Sequence, residues 1–304
     1  MQTALVTGAS TGIGLATAVH LARHRFHVFA GVRDPEGAVE LHAAIREMAR
    51  SVDWEDGCRP VTVVWLDVCD EASIAAAVAE IGRVDVLVNN AGIGGGGQPV
   101  ETASIEIGKR VFDTNYWGAV RMVQAVLPAM REARQGTIVN ITSMLGLFTL
   151  GSGAHYAASK HALEAASEVL AQETALFGVR VAMVEPGVIL TPIFSKKIEA
   201  VCEDSPYHFS RRRLKAFFEA QMGSGTLPTA VAETVLHAIR TDAPQLRYLV
   251  GPDAVALAAG RAAVSDEEWI ADFAIADDEA FFDRMAQRFG LDLWRKPATP
   301  ETEA

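Results

Sequence analysis

The sequence predicts an α/β protein whose parallel sheet is doubly wound, with helices covering both faces. Short runs rich in β-branched residues recur along the chain and are continuously apolar, which is typical of strands buried on both faces. Alanine-rich segments of helical character separate these runs, and repeated strand–helix–strand order implies right-handed crossovers between parallel strands. We therefore predict one α/β domain over residues 1–254. The predicted strands are TALVT (3–7), FHVFAGV (26–32), VTVVWLDV (61–68), VDVLVN (84–89), GTIVNIT (136–142), VRVAMVE (179–185) and LRYLVG (246–251).

Three segments interrupt this alternation. Residues 47–60 are a polar insertion before the third strand, and residues 192–228 are a long connection that we expect to cover a substrate pocket. The basic run Arg211–Arg213 within that connection is predicted to be a solvated helix face. Residues 255–304 add an acidic helical extension, in which the capping-box pattern Ser265–Glu268 starts a helix and the polar tail KPATPETEA is predicted to be disordered.

Composition and charge exclude several classes of function. The formal net charge of −11 disfavours nucleic acid and anionic membranes as partners, because both attract basic surfaces. No segment approaches the ~20 consecutive apolar residues of a membrane helix, and the start MQTALVTGAS does not resemble an export signal. Cys58, Cys69 and Cys202 form no C-x-x-C pair and are odd in number, which favours a reducing compartment. We expect a soluble cytoplasmic protein without a metal site.

A glycine-rich stretch, TGASTGIG, connects the first predicted strand to the first helix. Gly8, Gly12 and Gly14 allow a tight turn and let a phosphate approach the helix N-terminus, where free N–H groups and the helix dipole favour negative charge. A tight turn without a ligand is the alternative interpretation. The position after strand one and before an amphipathic helix favours a dinucleotide-binding loop.

Tyr156 and Lys160 stand four residues apart in the alanine-rich segment HYAASKHALEA. Residues with this spacing share a helix face, so the ammonium can lie beside the phenol and lower its pKa from about 10. Ser143 follows the fifth strand, at the carboxyl edge of the sheet, where ligands bind in such folds. Tyr156 and Lys160 therefore predict an acid–base couple, with Ser143 at the same cleft. A partly exposed helix face is the alternative for the Tyr–Lys pair, and His155 is interpreted as a packing residue.

These motifs, taken in order, resemble those of the short-chain dehydrogenase/reductase family over roughly residues 1–254. The matching stretches are TGASTGIG, the LDV of strand three, NNAG after strand four, Asn115 in FDTNYWGAV, NITS, YAASK and PGVILT. The resemblance implies a Rossmann-type domain with a seven-stranded parallel sheet in the order 3-2-1-4-5-6-7 and a C-terminal helical extension. The stretches RVDVLVNNAG, GAVRMVQAVLPAM and RYLVGPDA are also similar to those of members that act on steroids and retinoids.

The resemblance also implies a role for each matching residue. Tyr156 would be the general acid/base, and Lys160 would lower its pKa and bind the nicotinamide ribose. Ser143 would hydrogen-bond the substrate oxygen, and Asn115 would hold a water that relays protons to Lys160. A nicotinamide cofactor would supply the hydride. The cofactor contacts implied in this way are Gly8, Ser10, Thr11, Gly12, Ile13, Gly14, Arg33, Asp67, Val68, Asn89, Ala91, Gly92, Tyr156, Lys160, Pro186, Gly187, Ile189 and Thr191.

The end of the second predicted strand, FAGVRDPEG, bears on the choice between NADP and NAD. A carboxylate there would bind the ribose 2′-hydroxyl of NAD, whereas an arginine could pair with the 2′-phosphate of NADP. In the family register Val32 occupies the usual acid position and Arg33 follows it, which favours NADP. Asp34, twenty residues after Gly14, keeps NAD as the alternative. Gly31 is expected to leave space beside the adenosine.

The predicted function is an NADP(H)-dependent interconversion of an alcohol and a ketone or aldehyde. One alternative is a 3-ketoacyl-type reductase, whose acidic carrier would meet the basic stretch 192–222, and another is a dinucleotide-binding redox sensor without turnover. The partners expected are a bulky hydrophobic small molecule and, by resemblance, further copies in a homodimer or homotetramer. The apolar residues expected to line the substrate pocket are Leu145, Leu147, Phe148, Ile193, Phe194, Tyr207, Phe209, Phe217 and Phe218.

Overall fold

A computed structural model describes residues 2–50, 61–191, 204–222 and 225–295. Seven strands within these ranges form one parallel sheet in the order β3-β2-β1-β4-β5-β6-β7, which confirms the predicted fold class and strand order. The third predicted strand, 61–68, is shorter than expected and ends at Trp65. The strands are β1 Thr3–Thr7, β2 His27–Val32, β3 Val61–Trp65, β4 Val86–Asn89, β5 Gly136–Ile141, β6 Val179–Pro186 and β7 Arg247–Val250.

Helices connect the strands and cover the sheet. A π-helical turn, Asp113–Trp117, joins the fourth helix to the fifth, and a 3₁₀ turn, Met144–Gly146, follows β5. None of the helices in the described part of the chain is long and apolar enough to cross a membrane. The helices are α1 Gly12–Arg23, α2 Val39–Arg50, α3 Glu71–Ile81, α4 Ile105–Phe112, α5 Gly118–Glu132, α6 Ala154–Thr174, α7 His208–Gln221, α8 Pro228–Arg240, α9 Pro252–Ala262, α10 Asp266–Phe273 and α11 Asp278–Phe289.

The two faces of the sheet carry separate aliphatic cores. Successive residues of a strand point to opposite faces, so Val6 packs with side chains of α1, α2 and α8, whereas Leu5 packs with side chains of α3 and α5. Both strand residues are fully buried. Both faces of the sheet are covered by helices. The polar groups that follow the strands therefore lie at the carboxyl edge of the sheet.

A third core joins the C-terminal helices to the rest of the molecule. We call it the aromatic cluster, and it is built on Phe217, Trp269, Phe281, Phe289 and Trp294, all buried. Residues near the end of β5, among them Phe148, also pack into it. The predicted boundary at residue 254 therefore falls inside α9 and beside a shared core. The predicted capping box is confirmed, since the Ser265 Oγ accepts from Glu268 N and Glu268 Oε2 accepts from Ser265 N.

The basic run in α7 was predicted to be a solvated face, and this prediction is wrong for Arg211 and Arg213. Both are buried, and only Arg212 keeps half of its side chain exposed. The Arg213 guanidinium donates to Asp278 Oδ1 at 2.9 Å and lies 4.1 Å from the centroid of the Phe281 ring. It also donates to backbone carbonyl groups between α10 and α11. The Arg213 guanidinium therefore links α10 and α11 to α7.

The remaining organisational predictions concern segments at the limits of the description. The polar insertion 47–60 begins in the last turn of α2, and its residues 51–60 lie outside the described part of the chain. The tail 296–304 and the first half of the predicted lid, 192–203, also lie outside it. The second half of that connection forms α7, which packs into the aromatic cluster through Phe217.

Candidate active site

A cavity of about 290 Å³ lies at the carboxyl edge of the sheet. Its wall is formed by the segments that directly follow the strands, so parallel strand direction brings distant motifs to one place. Most of the predicted site residues line it. They are Gly8, Ser10, Thr11, Gly12, Ile13, Arg33, Asp67, Val68, Ala91, Gly92, Ser143, Tyr156, Lys160, Pro186, Gly187, Ile189 and Thr191.

The loop between β1 and α1 approaches the chain after β4 so closely that glycine is required. Gly8 has a φ of +66°, and a Cβ there would lie 2.9 Å from the Ala91 Cα. Gly14 does not line the cavity, and its predicted contact with the cofactor stays a prediction. A Cβ at Gly14 would lie 2.4 Å from Gly8 O and 2.5 Å from Asn90 Nδ2, so this glycine serves loop packing.

The two asparagines after β4 have different positions. Asn89 was predicted to contact the cofactor, but it lies outside the cavity wall, buried, and donates through Nδ2 to Asn140 Oδ1 at 2.9 Å. Asn90 lines the cavity instead and donates to Thr7 O and Gly8 O, at 2.9 and 3.1 Å. Consecutive residues of an extended chain point in opposite directions, so only one of the pair can face the ligand side.

The end of β2 presents an arginine, and not a carboxylate, to the cavity. Val32 and Arg33 line the wall, whereas Asp34 does not. The Asp34 carboxylate instead accepts from Gly37 N at 2.9 Å and closes a local turn. The expected space at Gly31 is filled, because a Cβ there would lie 2.5 Å from Leu66 Cδ2. Leu66 itself lines the cavity.

Several lining residues were missed from the sequence although they flank the predicted motifs. Asp67 is held in the turn after β3, where its N donates to Ser73 Oγ and its Oδ1 accepts from Cys69 N. Residues next to such a motif residue in the sequence lie at the same edge of the sheet. Their adjacency to the motifs could therefore have identified them as lining residues. The missed residues are Val32, Leu66, Asn90, Ile93, Thr114, Ile141 and Thr142.

The predicted catalytic side chains converge at the inner part of the cavity. Tyr156 and Lys160 lie one turn apart on α6, and Ser143 directly follows β5 and hydrogen-bonds the Tyr156 phenol. Lys160 Nζ donates to Ile141 O at 2.8 Å and lies 5.7 Å from the centroid of the Tyr156 ring. Lys160 and Ser143 are both buried. A phenol, an ammonium and a hydroxyl are thus held together out of bulk water.

Burial controls the ionisation of this group. It raises the pKa of the Tyr156 phenol above its ordinary value, while the hydrogen bond with Ser143 acts in the lowering direction. Burial also lowers the pKa of the Lys160 ammonium to about 8, and the neighbouring Glu164 opposes this shift. The net shift of the Tyr156 pKa is therefore upward and not downward, because desolvation of the charged form outweighs the hydrogen bond with Ser143.

Asn115 lies in the π-helical turn between α4 and α5 and does not line the cavity. Its side chain is buried and fully used: Oδ1 accepts from Ile93 N, and Nδ2 donates to Ile93 O and to Ser159 Oγ. A Cβ built on Gly92 would lie 3.4 Å from Asn115 Oδ1 and 3.8 Å from Lys160 Nζ, so the two side chains are close. The predicted proton relay stays a prediction.

His155 packs against α4, in agreement with its interpretation as a packing residue. A Cβ built on Gly108 would lie 2.8 Å from His155 Cε1, so the glycine makes room for the imidazole ring. The ring thereby sets the separation of α4 and α6 next to Tyr156. Among the described residues, no group of three histidine, cysteine or acidic side chains could hold a metal ion.

None of the described residues predicted to line a substrate pocket lines this cavity. Leu145, Phe148 and Phe217 are buried in the aromatic cluster and do not line the cavity. Ile193 and Phe194 lie outside the described residues. Within the described ranges, the cavity is lined by residues between 8 and 191, so neither α7 nor the C-terminal helices contribute to its wall. The aromatic side chains of α7 are used to dock the extension.

A family model described as short chain dehydrogenase matches residues 2–201. The chain belongs to the short-chain dehydrogenase family. Bovine (Bos taurus) retinol dehydrogenase 8 is 39% identical over 259 residues, which cover 81% of this chain and 80% of the relative. Mouse (Mus musculus) 17-beta-hydroxysteroid dehydrogenase type 1 is 38% identical over 261 residues, 80% of this chain and 72% of the relative.

Solved structures of family members superpose on the fold. A short-chain dehydrogenase from Streptomyces avermitilis has a TM-score of 0.72 and 32% identity, covering 86% of this chain and 92% of its own. A metagenomic short-chain oxidoreductase in complex with NADP has a TM-score of 0.61 and 29% identity, covering 82% and 96%. This short-chain dehydrogenase is accordingly an oxidoreductase that acts on CH–OH donors and has an NAD(P)-binding Rossmann-type fold.

Proposed function

We propose that the protein interconverts a hydrophobic alcohol and the corresponding ketone or aldehyde with NADP(H), using Tyr156 as the general acid/base. The observation that carries this proposal is the buried group of Tyr156, Ser143 and Lys160 on the wall of the cavity. Together the three side chains can supply a proton donor, a hydroxyl group and a positive charge next to a carbonyl group that receives a hydride. The bound nicotinamide would supply or accept the hydride.

We assign a step of the proposed reaction to each side chain. The Tyr156 phenol, whose pKa is raised by burial, keeps its proton at neutral pH and can donate it to a carbonyl oxygen. The Ser143 hydroxyl, hydrogen-bonded to the phenol, can donate to the same substrate oxygen as negative charge develops there. The Lys160 ammonium stabilises the phenolate that remains until the proton is replaced. In the oxidation direction, the Tyr156 phenolate accepts the alcohol proton, while Ser143 donates to the substrate oxygen and the Lys160 ammonium stabilises the phenolate beforehand.

The residues of the cavity fit a dinucleotide. Gly8 and Gly12 line the cavity, and the N-terminus of α1 at Gly12 offers backbone N–H groups to a phosphate. Arg33 on the wall supports NADP, since a guanidinium matches a 2′-phosphate, and the Asp34 carboxylate is turned to the Gly37 amide. The NADP-bound family member supports the same choice.

A hydrophobic substrate is supported by the named relatives, which are a retinol dehydrogenase and a hydroxysteroid dehydrogenase. The 3-ketoacyl alternative needs a basic surface for an acidic carrier, and the burial of Arg211 and Arg213 removes two cations from the stretch expected to supply it. The redox-sensor alternative does not require the three polar groups that the cavity assembles. Both alternatives are therefore weaker than the enzyme proposal.

Replacing Tyr156 by phenylalanine tests the acid/base assignment. We expect NADPH-dependent reduction of a panel of retinoid, steroid and smaller ketones and aldehydes to fall by about 10²–10⁴-fold in kcat, because the proton donor is lost. Tyr248→Phe is the matched control, since it removes a hydroxyl that accepts from Gln245 N beside β7 and is no part of the cavity wall. Cofactor binding without turnover of any compound by the wild type would favour the sensor.

Replacing Arg33 by alanine tests the cofactor proposal. We expect the KM for NADPH to rise about tenfold while that for NADH is unchanged, because only the former carries the 2′-phosphate. Arg131→Ala removes an exposed arginine near the end of α5 and should change neither value. An Arg33→Ala variant with unchanged NADPH affinity would refute the role of Arg33.

A further inference from the structure

Two acidic side chains are buried together one helical turn beyond Lys160. Glu164 lies on α6 and is 5% exposed, and Glu185 lies near the end of β6 and is 1% exposed. Both carboxyl groups approach the same guanidinium, that of Arg247. Neither residue lines the cavity, so neither contacts a ligand there.

The positive charge beside this pair comes from Arg247 on β7. Its Nε donates to Glu164 Oε2 at 3.1 Å and lies 3.4 Å from Glu185 Oε1. The same guanidinium donates through its NH2 group to Glu168, whose side chain is half exposed. Three carboxyl groups therefore surround one arginine, and the two buried ones cannot both be charged without a large cost.

The buried carboxyl oxygens that lack a hydrogen-bond partner indicate where a proton lies. An ionised carboxylate only accepts hydrogen bonds, so two carboxyl groups can be bonded to each other only when one of them is protonated. Oε1 of Glu164 and Oε1 of Glu185 are both buried and have no partner among the described protein groups if both side chains are ionised. A proton between the two residues satisfies this requirement.

We propose that Glu164 and Glu185 share one proton at neutral pH, and that the single negative charge left on the pair supports the ammonium form of Lys160. Both are thus positioning residues for the proton transfer. The effect on Lys160 rests on the proposed function, whereas the shared proton does not.

The ionisation of the surrounding groups agrees with this arrangement. Burial and the charge of Glu164 raise the pKa of Glu185 to about 8, against the lowering effect of Arg247. The charge of Glu164 also raises the pKa of Lys160 against burial, which lowers it to about 8. The other ionisable groups on α6, β6, β7 and α9 are His155, Tyr156, Lys160, His161, Glu168, Glu173, Arg180, Arg247, Tyr248, Asp253 and Arg261.

Two of these groups are already engaged elsewhere. Arg180 donates to the carbonyl groups of Ala238, Ile239 and Thr241 at the end of α8. The Asp253 carboxylate accepts from Val188 N at 2.6 Å. Glu164, Glu185 and Arg247 are therefore the groups on which the charge state next to Lys160 depends.

Infrared spectroscopy of the complete protein measures the shared proton directly. At pH 7 we expect the carbonyl stretch of a protonated carboxyl group, and we expect Glu185→Gln and Glu164→Gln each to remove it. Glu168 is also a glutamate that pairs with Arg247, so Glu168→Gln is the control and should leave the band in place. A wild-type spectrum without the band, or a band that survives both buried substitutions, would overturn the proposal.

Stability against pH gives a second measurement that does not depend on turnover. Because the folded-state pKa of Glu185 is raised from 4.5 to about 8, its ionisation is suppressed by folding, and its contribution to stability falls as the pH rises through this window. Glu185→Gln removes that loss, so its unfolding midpoint in urea should rise relative to wild type between these pH values. A constant difference across the window would contradict a shared proton.

The effect on Lys160 is measured by the pH profile of kcat/KM for the reduction. Replacing both Glu164 and Glu185 by glutamine removes the charge that supports the ammonium, so the alkaline limb should move to lower pH by about one unit, whereas either single substitution leaves one carboxylate in place. Glu168→Gln should leave the limb unchanged, and equal shifts in both variants would overturn the assigned role. If the wild type reduces no compound, the proposed function is wrong. The infrared spectrum still shows whether Glu164 and Glu185 share a proton.

Discussion

The cavity and the aromatic cluster are assembled in different ways. The cavity is lined by segments that directly follow the strands, so each of its residues lies within a short motif. The aromatic cluster depends on pairs such as Arg213 and Asp278, which are 65 residues apart. Motifs at strand ends can be located from local sequence, whereas a cluster of helices is defined only by which helix packs on which.

The two regions also use polar groups for different purposes. The cavity keeps Tyr156, Lys160 and Ser143 where a ligand can reach them, although their burial shifts the pKa of the first two. The aromatic cluster uses its buried charge, Arg213, to satisfy carbonyl groups and one carboxylate. Substitutions in the cavity should therefore change turnover more than stability, and those in the cluster should do the reverse.

The strongest test of this contrast is Arg213→Met. The substitution leaves several carbonyl groups between α10 and α11 without their donor, and we expect the free energy of unfolding to fall by about 3–5 kcal/mol. Urea denaturation followed by tryptophan fluorescence measures it, since Trp269 and Trp294 lie in the cluster. Turnover per folded molecule should remain within about twofold of wild type.

Arg212→Met is the matched control for that experiment. Arg212 is the next residue on α7 and pairs with the same Asp278, but its side chain is 51% exposed against 3% for Arg213. We expect a loss of at most about 1 kcal/mol, as for a surface ion pair. Equal losses in the two variants would show that burial of Arg213 does not stabilise the cluster.

The same contrast explains how much could be predicted from sequence. The seven strands follow from apolar runs, their order follows from the family resemblance, and the motifs after the strands locate most residues of the cavity wall. The failures have physical reasons: Asn89 and Asn90 both follow β4, and their identical side chains do not reveal which one faces the cavity. Arg213 resembles a surface charge until α11 is placed beside it, and Phe217 resembles a pocket residue until Trp294 packs on it.

One residue links the two regions, and Asp253→Asn should therefore affect both. Asp253 begins α9, is 3% exposed, and accepts from Val188 N in the turn after β6. A Cβ on Gly187, which lines the cavity, would lie 2.2 Å from Asp253 Oδ1, so the carboxylate fits against this turn. We expect stability to fall by about 1–3 kcal/mol and the KM for NADPH to rise several-fold, with kcat little changed.

Asp242→Asn controls for the loss of one negative charge, because Asp242 is exposed in the loop before β7. Urea denaturation and steady-state kinetics are measured on the same preparations of both variants. A loss of stability by Asp253→Asn without a change in KM would mean that the cavity wall is independent of α9. The separation between the two regions would then be complete.

The smallest expected effect concerns the start of α10, at the outer edge of the aromatic cluster. Ser265→Ala removes the hydroxyl that accepts from Glu268 N, and loss of such a cap costs about 1 kcal/mol. Ser265→Thr keeps the hydroxyl and should retain most of the stability. If the extension unfolds together with the sheet, urea denaturation will give one transition, shifted by the same amount for Trp269 fluorescence and for NADPH-dependent turnover. If the fluorescence change comes at lower urea than the loss of turnover, α10 unfolds separately, and the shared core does not couple the two regions.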